Sequence, residues 1–154
     1  MRVIWEATEV YEEAVERGVR LAVASVPREH LLRLEGIYVY DTDPKGARLG
    51  VYLRDHLGTR IEIFLQPHLP AVEHLDERIR LYALVLHLAH TLFHEVGHHV
   101  TLTLNPRKKP SKKRGAVTET LEKWAEEYVA KRMAKFKEAL QGANTQTPET
   151  EVSG

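Results

Sequence analysis

His94, Glu95 and His98, in the run His94-Glu95-Val96-Gly97-His98, are the residues of this 154-residue chain whose types and spacing point most directly to chemistry. On an α-helix, positions four apart differ by about 40° in direction, so both imidazoles emerge on one face, one turn apart. Such a pair can grip one zinc ion (Zn2+). Glu95, beside the first imidazole, is then placed to take a proton from water that the ion acidifies. Two more histidines share the stripe: His90 lies at about −40° from His94 and His87 at about +20°. Around them the helix is mostly apolar, with Leu84, Val85, Leu86, Leu88, Ala89, Leu92, Phe93, Val96 and Val100. A helix apolar nearly all round is a buried one, and imidazoles along it need partners. A core helix with hydrogen-bonded histidines is the plain alternative; Glu95 in register with the pair favours a metal.

Two registers compete for that metal. His90 and His94 are also four apart, but no acid stands beside His90, so the pair His94/His98 is preferred. His87 is about 10 Å along the axis from His94, too far to bind the same ion. His90 and His87 are therefore expected to line the cleft or to orient the ligands. His99, about 100° round from His98, is expected to be structural.

Catalytic zinc usually takes three protein ligands and keeps one position for water. The chain has no cysteine and no histidine after His99, so the third ligand should be a downstream carboxylate. Glu119, Glu122, Glu126 and Glu127 are the candidates on the last predicted helix, whose apolar face is Leu121, Ala125, Tyr128, Val129, Met133 and Phe136. With Leu121 as zero, Glu122 falls at about +100°, Glu126 at about +140°, Glu119 at about +160° and Glu127 at about −120°. Glu122 is thus nearest the buried side and is the expected ligand.

These two motifs, His94–His98 and Glu122-Lys123-Trp124-Ala125-Glu126-Glu127-Tyr128, resemble the gluzincin zinc metallopeptidases, most nearly the ImmA/IrrE-like group. The resemblance covers Ala89–His99 and Glu119–Met133. It implies a zincin-like fold and peptide-bond hydrolysis, with His94, His98 and Glu122 as ligands and Glu95 as base. That group commonly has Asn where this chain has Glu126. SprT-like proteases are similar through the first motif alone, and the absent cysteines remove their zinc ribbon. In such folds the sheet runs beside the metal helix and its edge strand pairs with substrate, for which Gly50–Leu53 and Arg60–Leu65 are both candidates. Tyr128, His90 and His87 are candidates for stabilising the oxyanion.

Elements must hold these residues. A first helix is predicted from about Thr8 to Ser25, and Pro27 opens a short second one to Leu34, closed by Gly36. Strands are predicted at Ile37–Tyr40, Gly50–Arg54 and Arg60–Leu65, with turn chemistry at residues 41–46 and a hairpin loop at Asp55-His56-Leu57-Gly58. Asp76 can cap the metal-site helix, which Asn105-Pro106 ends, and Thr118 can cap a last helix reaching about Leu140. The expected fold is α+β, one zincin-like domain over residues 1–140 with a small antiparallel sheet on the metal-site helix. The polar segment 141–154 reads as a disordered tail.

Composition bounds the rest. Hydrophobic residues make up 43% of the chain, enough for a real core. Lys+Arg and Asp+Glu each number 22, so no global field favours nucleic acid. Six basic residues stand between Arg107 and Arg114, read as a solvated loop joining the two motif helices. A nucleic-acid-associated protease using that loop, and a non-catalytic zinc-holding binding protein, are the rival functions. Retention of Glu95, which ligation does not require, favours hydrolysis. Neither a signal peptide nor a membrane-spanning stretch is evident, and the lack of cysteine suits a cytoplasmic protein. The expected partner is a protein or peptide substrate. A His/His/Glu set also accepts divalent ions other than zinc.

Overall fold

The computed structural model describes residues 1–8, 12–105 and 114–153, of which residues 12, 114–118 and 143–153 are described by their backbone alone. Strand β1 (Arg2–Trp5) is followed by helix α1 (Glu12–Ala24), a 3-10 turn at Arg28–Leu31, and strands β2 (Gly36–Tyr40), β3 (Gly50–Asp55) and β4 (Gly58–Phe64). A second 3-10 turn at Gln66–Ala71 leads to helix α2 (Glu77–His99), whose last turn widens into a π-helix at Val100–Leu104; helix α3 runs Arg114–Ser153.

The architecture is mixed α and β, as the residue pattern implies, but the sheet is not the small antiparallel one expected. Its order is β1-β2-β4-β3, with β1–β2 and β2–β4 parallel and only the β3–β4 hairpin antiparallel. Parallel neighbours need a crossover connection, and α1 lies on the path from β1 to β2. β1 itself was not anticipated. It is four residues long and only half-buried, too short for alternation to register. In the central strands the period-two pattern is clean: Ile37 and Val39 of β2 and Ile61 and Ile63 of β4 are fully buried. They join one core with Val15, Val19 and Ala22 of α1 and Leu88, Leu92, Phe93 and Val96 of α2.

Several boundaries move for local reasons. Thr8 donates through both its N–H and its hydroxyl to the Asp41 carboxylate, at 3.0 and 2.9 Å, and α1 is described from Glu12, residues 9–11 lying outside the described ones. The short second helix shrinks to a 3-10 turn, and Gly36 is the first residue of β2 rather than a helix end. Asp76 caps α2 as expected, accepting from the Arg78 N–H at 3.3 Å, and the helical path stops at Asn105. α3 is described from Arg114, ahead of Thr118, and its backbone is helical to Ser153. Nor is α2 buried all round: Ile79, Tyr82, His87 and His90 are exposed, and burial is concentrated from Leu84 onward. The basic loop lies outside the described residues except for the backbone of Arg114. No helix among the described residues is long and apolar enough to cross a membrane.

Candidate metal centre

The site is made by the antiparallel crossing of α2 and α3. Gly97 sets how close they come, because a Cβ there would stand 3.1 Å from Ala125 Cα and 3.2 Å from Tyr128 Cβ. Those atoms are backbone or held directly to it, so no flexible side chain could swing aside to admit one. The small pair Gly97/Ala125 thus brings the α3 backbone against the metal-site helix, and Phe93 locks the crossing edge-to-face on Phe136, centroids 5.9 Å apart. Glu122 lies one turn from Ala125 and is carried by this approach to the two imidazoles.

There the three side chains converge. His94 Nε2 lies 3.2 Å from His98 Nε2 and 3.0 Å from one Glu122 oxygen, and His98 Nε2 lies 3.1 Å from the other. Zinc bonds of ~2.0–2.2 Å at tetrahedral angles place neighbouring ligand atoms about 3.3 Å apart. The triangle is within a few tenths of an ångström of that size. Among the described residues, this is the cluster of His and acidic groups able to hold a metal.

Protons make the same point. His94 Nδ1 is 3.0 Å from Glu126 Oε1, and a carboxylate can only accept, so Nδ1 carries the hydrogen. When that ring is neutral its Nε2 is bare and faces a Glu122 oxygen 3.0 Å away. Two lone pairs facing at that distance need a cation between them, either a proton or a metal. Burial, followed by the charge of His94, holds the His98 pKa below its ordinary value, which keeps that ring in the neutral form a metal binds. His98 Nδ1 is buried without a hydrogen-bond partner among the described residues, and Nε2 is the ring nitrogen that faces His94 and Glu122. The donor set therefore fits zinc.

Glu95 lies beneath the triangle and is 8% exposed. Burial pushes its carboxyl up to about 7; Glu122 adds to the rise, while the His94 charge and a hydrogen bond from the Tyr52 N–H oppose it. That bond fixes the edge strand. β3 pairs with β4 on one side only, and Tyr52 turns its N–H outward to the metal-site helix. Gly50 permits the approach, since a Cβ there would stand 2.6 Å from Thr91 Cγ2 and 3.1 Å from the Glu62 carbonyl oxygen. Between β3 and the helices opens a cleft of about 330 Å³, lined by Val51, Tyr52, His94, Glu95, His98, Leu102, Leu121 and Glu122.

No family model, curated protein or solved structure matches this chain.

Of the residues singled out from the sequence, His94, His98, Glu122 and Glu95 come together. His90 is exposed and sits 3.6 Å from the second Glu126 oxygen, and it does not line the cleft. His87 is exposed and does not line the cleft. Tyr128 turns away, its hydroxyl 2.8 Å from His30 Nδ1. His99 is structural, as expected: its Nε2–H donates to the Leu32 carbonyl at 2.7 Å and its Nδ1 accepts from the Tyr52 hydroxyl at 2.8 Å. Glu119 and Glu127 are exposed and outside the cluster. Of the two strands proposed as the edge, β3 is that edge and β4 is internal.

Two contributors were missed. Glu126 was weighed only as a ligand, whereas it orients His94; its four-residue spacing from Glu122, matching His94 to His98, was the available signal. The backbone hydrogen bond from Tyr52 to Glu95 had no signal in the sequence, since main-chain donors look alike there.

Proposed function

We propose that this chain is a zinc-dependent peptidase of zincin type, with His94, His98 and Glu122 as metal ligands and Glu95 as general base. The observation that carries the reading is the triangle of two imidazole nitrogens and a carboxylate, 3.0–3.2 Å on each edge, beside a buried glutamate. A bound zinc would supply Lewis acidity to the scissile carbonyl and to the attacking water. Glu95, steadied by the Tyr52 N–H, takes the proton from that water and returns it to the leaving amine. An extended peptide would lie along the open edge of β3, its main chain crossing the cleft. Glu126 holds the His94 ring so that Nε2 faces the metal position.

The test separates binding from chemistry. Protein incubated with zinc should hold about one ion per chain and cleave members of a peptide library, and Glu95→Gln should keep the ion while losing hydrolysis. Equal cleavage by Glu95→Gln would remove the assigned base. A zinc-loaded wild type that cleaves nothing would move the protein to the non-catalytic, zinc-holding class.

A further inference from the structure

Next to the metal cleft, and sharing Leu102 with it, is a second cavity of about 350 Å³ lined by Arg33, Arg54, Asp55, Gly58, Thr59, Leu102 and Thr103. Two guanidinium groups meet there. Arg54 donates through Nη1 to the Leu102 carbonyl at 2.7 Å, and Arg33 through Nη1 to the Thr103 carbonyl at 3.4 Å. Each bond uses one of five N–H donors, so both side chains are oriented yet keep donors to spare. Neither arginine has an acidic partner among the described residues. The acid lining the cavity, Asp55, is engaged elsewhere: one oxygen accepts the Leu57 N–H at 2.8 Å and the other faces Arg60 at 3.6 Å. Glu35 packs against Gly58 at the rim.

Arg33 is also the non-glycine residue with positive φ, 68°, among the described residues. Its carbonyl is held by the Thr59 hydroxyl, and the next residue but one, Glu35, donates its N–H to the Thr59 carbonyl at 2.9 Å. A non-glycine residue in this region is disfavoured and persists where its surroundings fix it. Here the fixed conformation delivers a cation to the cavity.

The spacing relates this cavity to the cleft. Tyr52, whose N–H touches Glu95, and Arg54 are two residues apart on the edge strand, so their side chains share a face about 7 Å apart. A peptide extended along β3 with one bond at the metal would bring the residue two positions away alongside Arg54.

We propose that Arg33 and Arg54 form a carboxylate-binding subsite that selects peptides carrying a negative charge two residues from the scissile bond. This rests on the peptidase reading. The carboxylate is either an acidic side chain or the free C-terminus of a short product end. Planar, bidentate recognition suits a guanidinium pair, and charge-assisted bonds are the stronger kind.

The experiment starts from a peptide that wild type cleaves, resynthesised with Glu or Gln two residues from the cut, and separately with a free or amidated C-terminus at that position. Wild type should prefer one carboxylate form by about tenfold in kcat/KM, mostly through KM, and which pair responds names the source. The preference should fall to about one in Arg54→Gln and Arg33→Gln and be partly kept in Arg54→Lys. Binding of the same peptides to zinc-loaded Glu95→Gln, read by fluorescence anisotropy, follows the subsite without turnover. Equal treatment of charged and neutral forms by wild type, or a preference that survives both Gln variants, overturns the subsite. If wild type cleaves no peptide, the same charged and neutral pairs built on an uncleaved library peptide are scored by binding alone, and a carboxylate preference that both Gln variants abolish upholds the carboxylate site while the peptidase falls.

Discussion

Removing the carboxylate of Glu126 should weaken zinc binding without removing a ligand. Its Oε1 accepts from His94 Nδ1 at 3.0 Å, which fixes the tautomer that bares Nε2 and aims that nitrogen at the metal position. Carboxylates that support a ligating histidine in this way typically contribute about 10–100-fold to metal affinity, or about 1.4–2.8 kcal/mol. The Glu126 side chain is 55% exposed, so water screens it and replaces part of what it gives, which puts Glu126→Ala at the low end, about tenfold. Glu126→Gln keeps an acceptor oxygen on the same stem and should lose less. Glu122→Ala deletes a direct ligand and should lose more than either, while exposed Glu119→Ala should match wild type. Competition with a chromophoric chelator at pH 7.5 reads the dissociation constants of wild type and the four variants, with circular dichroism checking that α3 is intact. If Glu126→Ala binds zinc within about twofold of wild type, the orienting hydrogen bond is irrelevant. If it loses more than Glu122→Ala, the ligand has been assigned one turn away from its true place.

Gly97→Ala tests the helix crossing: alanine improves helix propensity by about 1 kcal/mol, yet its Cβ forces α3 outward at Ala125 and draws Glu122 from the triangle. Zinc affinity should therefore fall several-fold while thermal stability changes little; unaltered affinity would show that the close approach does not deliver the ligand. His68 tests a buried imidazole away from the metal, with Nδ1 2.7 Å from the Phe64 carbonyl and Nε2 2.7 Å from the Thr91 hydroxyl. Burial lowers its pKa from 6.5 to about 4, so the unfolded chain takes up the proton first as pH falls. The stability this group confers is complete above pH 6.5 and is lost between 6.5 and about 4, at most about 3 kcal/mol. Urea unfolding of metal-free wild type and His68→Gln should converge across that window, and a constant gap between them would refute the assignment.

What could be read in the sequence was what repeats along a helix. The 3.6-residue period put His94 and His98 on one face and set Glu122 nearest the buried side of α3, and the structure joins all three. Long-range pairing does not repeat. β1 is four residues whose parallel alignment with Gly36–Val39 depends on a helix crossing between them, so nothing in Arg2–Trp5 alone announces it. The same holds for Glu126, which lies well off the apolar face of α3 and acquires a role only once the crossing brings it to His94. Tyr128 fails for the opposite reason: it shares the buried face with Ala125 and Val129, but the helix turns its hydroxyl toward His30.

Zinc K-edge absorption spectroscopy of the zinc-loaded protein tests the central claim most directly. Two imidazole ligands and oxygen donors at ~2.0–2.2 Å, in a four- or five-coordinate shell, are predicted, with one imidazole lost from the spectrum in His98→Ala. A shell of oxygens without the multiple-scattering signature of imidazole, or one that His98→Ala leaves unchanged, would contradict the site.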